Sequence, residues 1–299
     1  MTVAAGVAGT RGIGAIHARE YLRAGVERLI VAGRTPESAR AQAAILAERF
    51  GKPVEAVDSL DQLARSDVVG LSLCTPTADH FDHLLAVLAG GRRVLCEKPL
   101  FWASGMAQQE LDDRLARLEA AAAPGQLHLH TPNSYFLEAA LDRFDLPRRP
   151  AVFRFEFFTQ GSSRGRAIGV DLLPHALSLL RVLDPTGEVS AVELGCDDNS
   201  FGGNLQYGGV AVELEFRQAA GGEKRLAFEL DGTRIERVPY MRDGAYRVAL
   251  RAGQQTVDVE DPFAVAIRGF LAGWTSPQTP DLAGASQMTR QMATILAAV

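Results

Sequence analysis

The chain has 299 residues, 47% of them hydrophobic and 22% charged, with a net charge of -5 and a pI near 5.7. That is the composition of a globular protein long enough for two ordinary domains, and it excludes the concentrated basic face that a nucleic-acid binder needs. Nothing approaches the ~20 apolar residues of a membrane span, so a soluble, cytoplasmic protein with no membrane contact is expected.

Residues 1–130 alternate short apolar runs with longer amphipathic stretches. Strands are predicted at 3–8, 28–32, 54–57, 68–73, 93–96 and 127–131, and helices at 13–23, 36–49, 60–65, 78–88 and 103–122. The chain enters the first strand directly, with no charged leader before it. Such alternation predicts a doubly wound parallel sheet covered by helices, an α/β Rossmann domain that binds a dinucleotide. Residues 131–299 read differently, with β-rich runs at 152–159, 189–194, 210–216, 225–230, 234–239, 246–250 and 255–259. Asp231-Gly232 between two of these is a hairpin signal. With helices at 172–183, 263–274 and 287–298, this half is expected to form an α+β substrate-binding and oligomerisation domain around a largely antiparallel sheet. No linker separates the halves, so tight packing with an intervening cleft is expected.

Directly after the first strand comes Gly9-Thr10-Arg11-Gly12-Ile13-Gly14. A glycine turn between strand and helix aims backbone N–H groups at a pyrophosphate, and the spacing is that of GxGxxG with Arg11 in place of the middle glycine. Either the turn is wider than usual, or the guanidinium lies along a phosphate. The short-chain dehydrogenase pattern is excluded, because the glycines are one residue short and no Tyr is followed four residues later by Lys. The second strand ends Ala32-Gly33-Arg34-Thr35, without the carboxylate that would accept from an NAD ribose. Arg34, Thr35 and Ser38 suit a 2′-phosphate instead, so NADP(H) is favoured over NAD(H).

Three cysteines, Cys74, Cys96 and Cys196, lack CxxC spacing, and no histidine pair has HExxH-like spacing. Reduced thiols and no metal are expected, with Cys74 and Cys96 as buried strand thiols. The most specific stretch runs from Thr75-Pro76 through His80 to Glu97-Lys98-Pro99. Two parallel strands would end there side by side at the sheet's carboxyl edge, the second delivering a lysine and then a proline able to be cis. A lysine beside a cofactor can join proton transfer; the alternative is a surface lysine.

With TP-x-x-x-H, a helix and V-L-x-E-K-P matched from Thr75 to Pro99, the sequence resembles the Gfo/Idh/MocA superfamily (glucose–fructose oxidoreductase, inositol dehydrogenase and rhizopine catabolism). The resemblance extends to Gly9–Ala18. It implies that Lys98 lies by the nicotinamide and the substrate hydroxyl, that Thr75 and Pro76 contact the nicotinamide ribose region, and that Glu97 belongs to the cofactor side. His80 reads as structural, at the start of its helix.

In the second half, Asp171 and His175 stand four apart on what is expected to be a helical first turn, on one face. A histidine and a carboxylate so placed can move and orient a proton, or else simply cap and pack. The resemblance makes His175 the general acid/base and Asp171 the substrate-orienting carboxylate, with Lys98 completing the set. It also makes Asn133 and Tyr135 weaker substrate-side candidates. The bulky Leu172-Leu173-Pro174 and the lead-in Gly165-Arg166-Ala167-Ile168 depart from the family pattern and would reshape the pocket. The expected activity is hydride transfer between a nicotinamide and a carbonyl/alcohol carbon of a sugar-like or other polar small molecule. The alternatives are imine reduction in a biosynthetic pathway and a non-catalytic NAD(P)-binding regulator. A homodimer or homotetramer is expected by analogy.

Overall fold

The computed structural model describes residues 3–273 and 279–299. It divides into two compact units, residues 1–130 with Phe263–Ser286, and Thr131–Pro262 with Gln287–Val299.

In the first unit six parallel strands, β1 (Ala4–Ala8), β2 (Arg28–Ala32), β3 (Val54–Val57), β4 (Leu71–Leu73), β5 (Val94–Glu97) and β6 (Leu127–His130), stand in the order β3-β2-β1-β4-β5-β6. Helices α1 (Ile13–Arg23), α2 (Pro36–Phe50), α3 (Leu60–Arg65), α4 (His80–Ala89) and α5 (Gln108–Ala121) connect them. This is the doubly wound Rossmann order, with the reversal between β1 and β4 placing a crevice at their carboxyl ends. β1 is buried along its whole length, as a central parallel strand must be when helices cover both faces. Helix α5 begins at Gln108 instead of residue 103, because Gly105 takes a positive φ of 75° that ends any helical path through it.

Residues 263–286 also belong to this unit. Helix α8 (Pro262–Ala272) supplies Ile267 and Phe270 to the core formed by Val7, Leu29 and Leu95. Pro280 then accepts a backbone hydrogen bond from Leu129 of β6. Trp274, the expected end of that helix, lies outside the described residues.

The second unit holds an eight-stranded sheet: β7 (Val152–Thr159), β8 (Val189–Cys196), β9 (Ser200–Tyr207), β10 (Val210–Gln218), β11 (Arg225–Leu230), β12 (Thr233–Arg242), β13 (Ala245–Ala252) and β14 (Gln255–Val259), ordered β14-β13-β12-β11-β7-β10-β9-β8. All pairs are antiparallel except β7 with β10. Strand β9 escapes a reading by propensity because Gly202-Gly203 looks like a turn. Those glycines are there for room: a Cβ on either would come within 2.3 Å of a neighbouring strand's carbonyl oxygen. Helix α6 (Asn133–Arg143) was also not expected, although Phe136, Leu137, Ala140 and Leu141 form its buried stripe.

Helix α7 (Arg166–Leu183) starts six residues before its predicted position. Gly165 and Gly169 made this stretch read as a loop. Gly165 instead forms the N-cap at φ 53°, and Gly169 is the point where the helix presses on Phe201, whose ring a Cβ would meet at 2.5 Å. The final helix, α9 (Leu282–Ala297), likewise begins earlier than residue 287.

Candidate active site

The turn after β1 is shaped by its glycines. Gly9 has φ 85° and Gly12 φ 53°, and a Cβ on Gly9 would stand 2.4 Å from the Cys74 carbonyl oxygen. A Cβ on Gly14 would stand 1.6 Å from the oxygen of Gly9. Arg11 avoids positive φ, so a side chain there costs the turn nothing. No side chain caps the N-terminus of α1, which leaves its first amides to serve an anion.

This turn opens on a cavity of about 800 Å³, lined by Gly9, Thr10 and Arg11, then by Gly33, Arg34, Thr35 and Ser38, and by Thr75 and Pro76 across the switch point. Gly12, Ile13, Gly14, Glu97 and Lys98, also expected at the cofactor, do not line it. Asp58, Asp79 and His83 do, and were not anticipated. Asp58 directly follows β3 and His83 sits one turn beyond Asp79, but neither stands in a motif that singles it out.

Thr35 and Ser38 cap α2 reciprocally: Ser38 N donates to Thr35 Oγ1 at 3.2 Å, and Thr35 N donates to Ser38 Oγ at 3.2 Å. Arg40 pairs with Glu37 at 3.1 Å and with Asp58 at 3.0 Å. Glu37 and Asp58 are thereby engaged, while among the described residues Arg11 and Arg34 are held in no ion pair.

Thr75 Oγ1 lies 2.9 Å from His83 Nδ1. His80, 1% exposed, ties the two signature turns together: its Nε2 is 2.8 Å from the Thr75 carbonyl oxygen and its Nδ1 2.9 Å from that of Pro99. Burial pushes this imidazole's pKa down, while the two carbonyls pull it up. The Lys98-Pro99 peptide is cis, and Lys98 is half-buried.

Behind Lys98 lies a fully buried polar network. Glu97 Oε1 receives His130 Nδ1 at 2.6 Å and His17 Nε2 at 2.8 Å, and His17 Nδ1 meets Ser72 Oγ at 2.8 Å, which in turn meets Tyr21 Oη at 2.9 Å. One assignment satisfies every contact with neutral imidazoles: Tyr21 donates to Ser72, Ser72 to His17, and both rings to the carboxylate. The ring of Phe263 packs edge-on against both histidines, at 5.7 and 4.8 Å. Burial pushes the Glu97 carboxyl up, but His130 and His17 overcome it and hold its pKa well below the usual range. Burial lowers His17, against the pull of Glu97.

The three ligand atoms of this group lie within 4.8 Å of one another, so it has the donor set of a metal site. Its nitrogen–oxygen separations are hydrogen-bond lengths, and its protons are accounted for without an ion. Cys96 is buried in β5 and Cys74 partly so, with burial raising both thiols well above their ordinary pKa. Cys196, by contrast, is exposed.

In the second unit Asp171 and His175 share one face of α7, but in the helix interior and not on its first turn, because the helix begins at Arg166. Asp171 therefore caps nothing. His175 is 6% exposed and meets Phe157 edge-on at 5.0 Å. Asp171 Oδ2 accepts from Gln218 Nε2 at 2.6 Å. Asn133 is buried at the first position of α6, and Tyr135 is half-buried on the same turn. No described helix is long and apolar enough to cross a membrane.

A parallel sheet with a glycine cradle at its switch point defines a dinucleotide-binding protein. Residues 3–123 match the model of the oxidoreductase family with an NAD-binding Rossmann fold, GFO_IDH_MocA. Inositol 2-dehydrogenase of Rhizobium meliloti (strain 1021) is 33% identical over 101 residues, which cover 33% of this chain and 29% of that protein. The aligned stretch thus spans less than a third of this relative's length. Two solved structures share the fold across the chain. The 3-ketoreductase KijD10 of Actinomadura kijaniata, in complex with TDP-benzene and NADP, has a TM-score of 0.65 at 18% identity, covering 99% of this chain and 97% of its own. Levoglucosan dehydrogenase, in complex with NADH and levoglucosan, has a TM-score of 0.70 at 17% identity, covering 100% and 98%.

Proposed function

We propose that the chain is an NAD(P)-dependent dehydrogenase or reductase acting on a carbonyl/alcohol carbon of a sugar-like or other polar small molecule. The observation that carries this reading is the glycine turn of Gly9, Gly12 and Gly14, packed tightly enough to leave the uncapped N-terminus of α1 at the mouth of the Rossmann cavity, where a pyrophosphate can lie against it. The first unit holds the dinucleotide and the second the substrate. NADP(H) is favoured, because Arg34 and Arg11 are cations without acidic partners among the described residues and the end of β2 carries no carboxylate. The nicotinamide, when bound, supplies or accepts the hydride.

The protein's part is proton handling. Lys98 and His175 serve the oxygen of the reacting carbon, His175 as general acid/base, and Asp171 orients the substrate and that histidine. His80, set between the Thr75 and Pro99 carbonyls and donating to one of them, keeps the cofactor-side turn and the Lys98 turn in fixed relation. Asn133 and Tyr135 complete the substrate side. The open face of the eight-stranded sheet, with its Arg/Glu pairs such as Arg234 with Glu156, is the surface for a homodimer or homotetramer.

The test is a turnover panel of inositols, anhydrosugars and keto-sugar nucleotides with NADPH, NADP⁺, NADH and NAD⁺. Lys98→Ala and His175→Ala each lose on the order of 10²–10⁴ in turnover on any accepted substrate. Near-normal rates in both variants would refute the assignment.

A further inference from the structure

We propose that Gln218 is the positioning residue for Asp171, fixing how its carboxylate is oriented and keeping the group ionised. This rests on the reading of Asp171 as part of the site.

Gln218 is the last residue of β10 and is 0% exposed. Its backbone N–H donates to the Asn199 carbonyl at 2.9 Å, so the main chain is held independently of the side chain. The side-chain amide makes two bonds of opposite polarity. Nε2 donates to Asp171 Oδ2 at 2.6 Å, and Oε1 accepts from the Ser163 N–H at 2.9 Å. That settles the amide's orientation: a backbone N–H can only donate and a carboxylate can only accept, so a flipped amide would oppose donor to donor and acceptor to acceptor.

Space is reserved for the arrangement. A Cβ at Gly161 would lie 2.5 Å from Gln218 Oε1, although Gly161 has no positive φ to demand glycine. Glycine at 161 is explained by the amide that lies against it.

Three consequences follow for Asp171. A buried neutral donor to a carboxylate is a strong, charge-assisted hydrogen bond and favours the ionised form. Held at Oδ2, the carboxylate is fixed in its orientation on α7. The same amide holds Ser163, so the segment leading into α7 and the carboxylate on α7 are ordered by one side chain. Glutamine is the residue suited to this place: glutamate of the same size would set a second negative charge against the first.

The test needs no substrate. Full-length protein labelled with ¹³Cγ-aspartate is titrated by NMR, with Asp171→Asn assigning the signal. Gln218→Met keeps the length and removes the donor, and the Asp171 midpoint is expected to rise by about 1–2 pH units. Gln218→Glu raises it further through like charge. Gly161→Ala, which only crowds the amide, shifts it in the same direction by less. A folded Gln218→Met or Gln218→Glu protein with the wild-type midpoint overturns the proposal, since a merely structural glutamine would lower the melting temperature alone. Turnover of Asp171→Asn reads the other claim separately: normal turnover there sinks the catalytic reading of Asp171 whatever the titration shows.

Discussion

Glu97 and His130 end neighbouring parallel strands in direct register, and the Nδ1–H of His130 donates to the Glu97 carboxylate across 2.6 Å. The residue after that glutamate is Lys98, so the charge that anchors the strand end also anchors the turn carrying the proposed proton carrier.

Removing that carboxylate should be costly. Glu97→Ala leaves the donors of His17 and His130 buried without an acceptor and is expected to destabilise the protein by about 3–5 kcal/mol. Glu97→Gln retains an acceptor oxygen and should lose less than half of that. Urea unfolding at pH 7 measures both. Equal losses would mean that packing, not the hydrogen bonds, matters at this position.

Stability should fall on the acid side of neutrality. His17 and His80 have pKa values lowered in the folded protein, chiefly by burial. Below the unfolded value of about 6.5 the unfolded chain therefore binds more protons than the native one, and each such group removes about 1.4 kcal/mol per pH unit until its folded pKa is reached. The depressed Glu97 acts in the same sense at lower pH, where its folded pKa is approached. The stabilising contribution is thus complete above pH 6.5 and is lost as pH falls. Unfolding free energies at pH 8, 7, 6 and 5 check this, and a flat profile from 7.5 to 5.5 contradicts it.

Arg34 should discriminate between the two nicotinamide cofactors. Arg34→Ala removes a cation lining the cavity and is expected to weaken NADPH binding by about 10–100-fold while leaving NADH nearly unchanged. Fluorescence titration of both cofactors reads the ratio. An equal loss for the two would place the guanidinium on a group they share.

The glycine cradle should tolerate no side chain at its tightest point. Gly14→Ala forces a methyl to within 1.6 Å of the Gly9 oxygen, so the turn must move. The variant should lose the rise in melting temperature that NADPH confers on the wild type. A retained rise would show that the dinucleotide does not rest on this turn.

Much of this was legible in the chain itself. The alternation of β1 to β6 with α1 to α5 follows from hydrophobic period and turn chemistry, both carried by neighbouring residues. Eight of the expected cofactor residues line one cavity, because they sit at strand ends or on the turn that follows, and the strand order brings those ends together. What stayed hidden has a common character. Strand β9 and the start of α7 were masked by glycines that serve close approach to a neighbour or a helix cap, not chain reversal. His17 reaches Glu97 across 80 positions, Gln218 reaches Asp171 across 47, and the return of Phe263–Ser286 to the first unit is set by Phe270 and Ile267 finding a distant core.

The amino-acid order alone thus determined two sheet-based halves, the glycine turn after β1 and the residue types available for chemistry, since these depend on backbone preferences and local periodicity. Only the folded chain decided which buried polar groups become one another's partners. A buried donor or acceptor must be satisfied by whatever the topology sets beside it, and sequence distance carries no information about that neighbour.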